Sequence, residues 1–213
     1  RNLKNPLKKK TIHLGIDWED FSLIAYDKGL IENYKIFSEE FITETNYLLD
    51  FLKKESIKCT FFCNGRTAEI YPYLVNKIDQ NGHQIAAHAY NHTHRDKLTD
   101  IEFLTDCIKA KTILEKIICK EVLGYRSPYL SFNSKNLIPS LKILSKAGYL
   151  FDSSITYASL KNVIKSNKFE IGKIQTDISI KPLFSINIFG KGFNLAGGSI
   201  WRIVPSDLIF LLI

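Results

Sequence analysis

Asn81-Gly82-His83-Gln84-Ile85-Ala86-Ala87-His88-Ala89-Tyr90-Asn91-His92 is the stretch on which the fold turns. Asn81-Gly82 reads as the stop of a preceding helix. Gln84–Ala87 is a short apolar strand that delivers His88 at its end, and His92 follows four residues later. Two imidazoles at this spacing can meet one ion if the backbone turns tightly after the strand. Taken alone, the pair reads more readily as two capping or surface histidines out of the five in the chain. Its company makes the difference: Asp17-Trp18-Glu19-Asp20 lies upstream and Arg126-Ser127-Pro128-Tyr129 downstream. A carboxylate with two imidazoles is a zinc-type donor set that leaves room for water.

Working outward, the same unit recurs. Ile12–Asp17 is a short apolar run ending in acids, as expected of a buried parallel strand. Glu39–Glu55 places Phe41, Ile42, Tyr47, Leu48, Phe51 and Leu52 near helical spacing, with acids early and Lys53-Lys54 late. Cys59–Cys63 is a strand and Thr67–Gln80 a helix. Thr99-Asp100-Ile101-Glu102 is a capping box opening a helix to about Ile118. Val122–Tyr125 is a strand ending at Arg126, Ser134–Ala147 a helix, and Tyr149–Phe151 a strand ending at Asp152. The chemistry-bearing residues thus fall at the C-terminal ends of four successive strands, which share one face in a (β/α) barrel. Beyond Asp152 the text is β-rich: Ile174–Ile180, Leu183–Phe189 and Gly197–Arg202.

Composition limits the alternatives. The 213 residues are 45% hydrophobic and 24% charged, ordinary for one globular domain. Part of the net charge of +7 is local, since Arg1, Lys4, Lys8, Lys9 and Lys10 fall in the first ten residues. Residues 1–10 read as a basic solvated tail, able to touch an anionic membrane surface, and residues 11–213 as one domain. No aromatic-basic interleaving supports nucleic-acid binding. The cysteines (Cys59, Cys63, Cys107, Cys119) form no C-x-x-C pair. Reduced thiols, the lack of a leader segment and the lack of a membrane span lead us to expect a cytoplasmic protein.

In order along the chain, these motifs resemble the polysaccharide deacetylase superfamily (the NodB-homology domain, carbohydrate esterase family 4), in its branch with a D-x-E-D first motif. Asp17–Asp20 is similar to motif one and Cys59–Gly65 to the A-T-F-F-x-x-G strand. Gly82–His92 resembles the G-H-E-I-A-x-H-x-x-x-H motif and Gly124–Tyr129 motif three. Gly148–Ser154 resembles the G-Y-x-x-D-S-S segment, and Gly197–Pro205 the G-G-x-x-x-R-x-x-P segment. The resemblance covers about residues 11–205. It implies a distorted (β/α) barrel of about seven strands with a β-rich C-terminal part.

It also implies roles. A divalent metal, usually zinc with cobalt as a substitute, would be held by His88, His92 and a motif-one carboxylate, Glu19 or Asp20. Asp17 would be the general base, Arg126 would orient it, and Asp152 would belong to the acid-side network. Tyr129 would stack on sugar or only pack, and Trp18 with Phe21 would wall the cleft. The family's late histidine is missing, since no histidine follows His94; the apolar end Leu208–Ile213 is expected to mark a truncated chain. The implied activity is N-deacetylation of amino sugars in a cell-surface polysaccharide or its lipid-linked precursor, the substrate being an N-acetylated glycan or glycolipid. A hydrolase of small amides and a catalytically silent carbohydrate-binding module remain the alternatives.

Overall fold

A computed structural model describes residues 13–33, 35, 38–156, 159–161, 177–183, 185–188 and 191–194. Six parallel strands form one sheet in chain order: β1 (Gly15–Trp18), β2 (Thr60–Cys63), β3 (Gln84–Ala87), β4 (Gly124–Tyr125), β5 (Phe151–Asp152) and β6 (Ser179–Ile180). Between them run α1 (Phe21–Asp27), α2 (Ser38–Lys54), α3 (Gly65–Ile70), α4 (Pro72–Gln80), α5 (Asp100–Ile118) and α6 (Leu137–Lys146). β7 (Ser185–Ile188) and β8 (Lys191–Asn194) pair antiparallel, in the stretch expected to be β-rich. Among the described residues β1 and β6 are the two edges of the six-stranded sheet, so the architecture is α/β with an open parallel sheet rather than a closed barrel. The segment Gly197–Pro205 and the tail 1–10 lie outside the described residues.

Register is what makes a site out of this sheet. Trp18, Cys63, Ala87, Tyr125, Asp152 and Ile180 are successive partners across the six strands. The row one residue further on is therefore Glu19, Asn64, His88, Arg126 and Ser153. Parallel strands joined by helices all present their C-terminal ends to one edge, and this edge collects the polar residues.

The apolar text forms the other side. Phe61, Ala68, Leu74, Val75, Ile78, Phe103, Cys107, Leu114, Leu141 and Leu144 are buried in one continuous core. The valine, leucine, isoleucine and phenylalanine side chains among them each contribute roughly 1.5–3 kcal/mol when fully buried. α5 begins at the expected capping box, with Thr99 Oγ1 accepting from Glu102 N–H and the Glu102 carboxylate accepting from Thr99 N–H. The helix expected over Thr67–Gln80 is two helices, because Pro72 lacks an amide hydrogen and takes the first position of α4. α2 buries Thr45, Leu49 and Leu52, which leaves Tyr47 and Phe51, expected on its apolar stripe, exposed.

Candidate metal centre

β1 alternates, and its parity sorts the first motif. Asp17 and Glu19, two residues apart, reach the polar edge, whereas Trp18 points into the core. Trp18 Nε1–H donates to Thr45 Oγ1 on α2 at 3.0 Å, and its ring packs on Phe41 at 5.2 Å. The cleft-wall role expected of Trp18 is thereby corrected: it is 3% exposed, and the strand pleat turns it away from the opening. Phe21, at the start of α1, is 74% exposed and lines the cleft instead.

Asp20 is corrected as a metal ligand. Its Oδ1 accepts from Ser22 N–H at 2.9 Å, Leu23 N–H at 3.4 Å and the Ser22 hydroxyl, while Oδ2 accepts from Tyr71 O–H at 3.0 Å. Both oxygens are thus used in capping α1 and tying it to Tyr71. α1 is not among the helices expected from sequence, and its signal there is the capping Asp20 followed by Leu23-Ile24.

Glu19 is the acid that the structure brings to the histidines. Its Oε2 lies 2.6 Å from His92 Nε2 and 3.4 Å from His88 Nε2, and donor atoms of the three residues lie within 4.8 Å of one another. Yet Glu19 Oε2 is buried and makes no hydrogen bond among the described residues. Buried oxygen and nitrogen donors converging without hydrogen-bond geometry suit a cation between them. His88 Nδ1 is 2.9 Å from the carbonyl oxygen of Arg126, which can only accept, so Nδ1 carries a proton and Nε2, facing Glu19, is the nitrogen left to take a cation or a second proton.

The electrostatics agree. Burial alone would raise the Glu19 carboxyl, but His88 and His92 outweigh it and hold it near pKa 2, against an ordinary 4.5. Burial would lower His88, and contact with Glu19 and the charge of Asp17 carry it above its usual value. A carboxylate kept ionised in a nearly closed pocket attracts positive charge.

The loop carrying His92 is held from two sides. Asp106 of α5 accepts from Tyr90 N–H at 2.8 Å and Asn91 N–H at 2.9 Å. Asn64 Nδ2–H donates to the Tyr90 carbonyl at 3.0 Å while its Oδ1 caps α3 at Thr67. Between these clamps Ala89 and His92 adopt left-handed backbone, φ 57° and 51°. Such conformations cost about 1 kcal/mol or more each in non-glycine residues and persist where surrounding bonds impose them. Neither Asn64 nor Asp106 carried a motif-level signal.

Arg126, buried at the end of β4, joins both halves of the site. Its Nη1–H donates to Asp17 Oδ1 at 2.6 Å, Nε–H to the Ser153 carbonyl at 3.1 Å and Nη2–H to Ser153 Oγ at 3.1 Å. The guanidinium lies 3.8 Å from the Phe62 ring centroid. Asp17 is therefore anchored at one oxygen, with its side chain 40% exposed to the cleft. Asp152 is placed elsewhere than expected of a catalytic group. It is fully buried and accepts from Ser154 N–H at 3.0 Å and from the Ser154 hydroxyl. Ser154 Oγ in turn accepts from Ser127 N–H at 2.7 Å, so Asp152 supports the 126–131 turn from beneath. Burial pushes its carboxyl up to about 7, against the opposing effect of the Ser154 bonds and Arg126.

Tyr129 and Leu130 are both left-handed (φ 59° and 49°), which thrusts the Tyr129 ring out over the site, 53% exposed. The ring meets His92 edge-on at 4.7 Å. Asp17, Glu19, His88, His92, Phe21 and Tyr129 together line a cleft of about 360 Å³. His83, by contrast, packs on Phe61 beneath the sheet, and His94 caps the short 3-10 turn Arg95–Lys97.

Comparison with known proteins gives this geometry a context. A sequence model of the family described as "Polysaccharide deacetylase" matches residues 22–151. A peptidoglycan-N-acetylglucosamine deacetylase of Bacillus cereus is 35% identical over 85 residues, 40% of this chain and 31% of that protein. A chitin deacetylase of Pestalotiopsis sp is 33% identical over 108 residues, 49% of this chain and 35% of that protein. The chain thus spans about a third of the length of these relatives. Among solved structures, a Mycobacterium smegmatis protein described as a polysaccharide deacetylase superposes with TM-score 0.59 at 22% identity, over 68% of this chain and 50% of that one. A family 4 carbohydrate esterase pseudoenzyme superposes with TM-score 0.52 at 17% identity, over 83% and 57%. At such identities the structural likeness speaks to the fold alone.

Proposed function

The chain belongs to the polysaccharide deacetylase family, and from that premise we propose that it serves as a metal-dependent hydrolase removing N-acetyl groups from amino sugars of a polysaccharide or its lipid-linked precursor. The observation that carries the reading is the convergence of Glu19, His88 and His92 on one point, with the Arg126-anchored Asp17 opening onto the same cleft. The curated relatives named as peptidoglycan and chitin deacetylases support the choice of an N-acetylated glycan.

Glu19 Oε2, His88 Nε2 and His92 Nε2 are the atoms assigned to the cation, Zn²⁺ in the first instance and Co²⁺ as a substitute. When bound, the cation supplies Lewis acidity toward water and toward an acyl carbonyl. Asp17 takes the proton of the attacking water with the oxygen that Arg126 leaves free. Arg126 keeps that carboxylate aimed through its Nη1–H, and its carbonyl fixes the tautomer of His88. The N–H of Tyr129, in the left-handed turn at the cleft, is assigned to the developing oxyanion. Phe21 and the Tyr129 ring offer apolar faces for a sugar.

The test is release of acetate from N-acetylhexosamine oligosaccharides, abolished by chelation and restored by Zn²⁺ or Co²⁺. Asp17→Asn is expected to keep the metal and lose activity by about 100-fold or more, as for removal of a general base. Metal-loaded, folded protein that releases no acetate from any acetylated glycan would move the reading to small amides or to a silent binding module. The position of Asp17 beside the donor set favours the enzyme, because sugar binding alone needs no base there.

A further inference from the structure

A second, larger cleft of about 680 Å³ opens from the other side of His92 and Tyr129. The two clefts share Ile24, Lys28, His92 and Tyr129, so a chain lying across one continues into the other. The charge of the larger cleft is uneven. Lys28, Arg66 and Lys97 line it, against Asp27 as the only carboxylate among the described lining residues. Asp27 is already matched to Arg66 at 3.2 Å. Lys28 Nζ donates to the Tyr129 hydroxyl and lies 5.1 Å from the centre of that ring, an arrangement that holds the ammonium at the junction of the clefts without neutralising it.

The acids that could neutralise the others are engaged elsewhere. Asp96, next to Lys97, accepts from Asn136 Nδ2–H at 2.6 Å and Asn133 Nδ2–H at 3.0 Å. Glu69, one helical turn from Arg66, accepts from the Tyr90 hydroxyl at 2.7 Å. Lys28 and Lys97 therefore face the cleft with no carboxylate partner among the described residues, and that cleft shares His92 and Tyr129 with the proposed reaction site.

We propose that this flanking cleft binds an anionic substituent, carboxylate or phosphate, carried by a sugar next to the one being deacetylated. The proposal rests on the deacetylase reading and narrows its substrate to an acidic glycan or glycolipid. Two point-charge lysines suit an anion whose position varies along a polymer, where a buried bidentate arginine would demand one geometry. Since both lysines are solvated, their contribution falls on substrate capture and is weakened by salt.

The full chain is assayed with three substrates of matched length: neutral N-acetylglucosamine oligomers, oligomers alternating with glucuronic acid, and oligomers bearing a phosphate ester. At least one acidic substrate is expected to show about 10-fold higher kcat/KM than the neutral one, expressed in KM and shrinking in 0.5 M NaCl on the scale of a screened surface attraction. The uronate and phosphate arms identify which anion is read. Lys97→Gln should reduce the acidic-to-neutral ratio by about 3-fold, and Lys97→Glu should abolish or invert it. Glucuronate and glucose 6-phosphate binding, followed by NMR on the same protein, provides a readout independent of turnover. Equal kcat/KM for all three substrates together with no sugar-anion binding overturns the cleft assignment and leaves the deacetylase reading intact. Anion binding lost in Lys97→Glu, with no acetate released from any substrate, upholds the cleft and overturns the deacetylase reading.

Discussion

Glu19 and Asp20 are adjacent acids with opposite uses, and the difference is set by what surrounds each oxygen. Asp20 has two N–H donors and two hydroxyls on its carboxylate, while among the described residues Glu19 Oε2 faces the imidazole nitrogens of His88 and His92. Glu19→Gln and His88→Ala are accordingly expected to lose stoichiometric Zn²⁺ in a calorimetric titration, each removing one donor atom of three. Asp20→Asn is expected to bind Zn²⁺ normally but to melt at lower temperature, by roughly 1–2 kcal/mol of lost cap and Tyr71 bond. If Asp20→Asn emptied the site and Glu19→Gln did not, the assignment would be reversed. From sequence the two could not be separated, because the choice depends on the helix α1 that Asp20 caps and on a tyrosine 51 positions away.

At the scale of the element, what was legible is the period and what was not is the pleat. The strand ends at His88 and Arg126, the capping box of α5 and the stop at Gly82 all follow from local chemistry and appear in the structure at those residues. Trp18, expected to wall the cleft, is sent to Thr45 instead by one step of strand alternation. Asp152, expected in the acid-side network, has as partners Ser154 and, through it, Ser127, which only register across β4 and β5 reveals. Gly15 is a similar case. A Cβ there would stand 2.7 Å from Arg126 Nη2 and 2.9 Å from Phe62 Cε2, so the glycine of β1 makes room for the guanidinium to reach Asp17. Gly15→Ala is expected to lower kcat by about 10-fold or more while Zn²⁺ stoichiometry is kept, because a small displacement of a positioning group is costly to catalysis. Parallel acetate and zinc measurements on the variant decide it, and loss of zinc would mean that the change propagates beyond Asp17.

For the whole molecule, the buried carboxyl of Asp152 couples the sheet to pH. Its pKa is about 7 in the folded chain against an ordinary 3.8, because burial penalises the charged form more than Ser154 and Arg126 reward it. The folded state then holds a proton between pH 4 and 7 that the unfolded state has released, so stability from this group is full below about pH 4 and declines as pH rises through 7. The full effect is of the order of 4 kcal/mol, from a shift of about three units. Glu19 acts in the opposite sense in the metal-free protein: held near 2 by the histidines, it contributes stability above its ordinary 4.5 that is lost as pH falls toward 2. The two windows barely overlap, so urea unfolding of the metal-free chain should show a stability maximum near pH 4 to 5 with a decline toward neutrality. Asp152→Asn is expected to flatten the limb between pH 5 and 7 at the expense of one bond to Ser154, while Glu19→Gln flattens only the acid limb. A decline toward neutrality that persists unchanged in Asp152→Asn would place its origin in another buried group and remove Asp152 as the proton-linked support of the 126–131 turn.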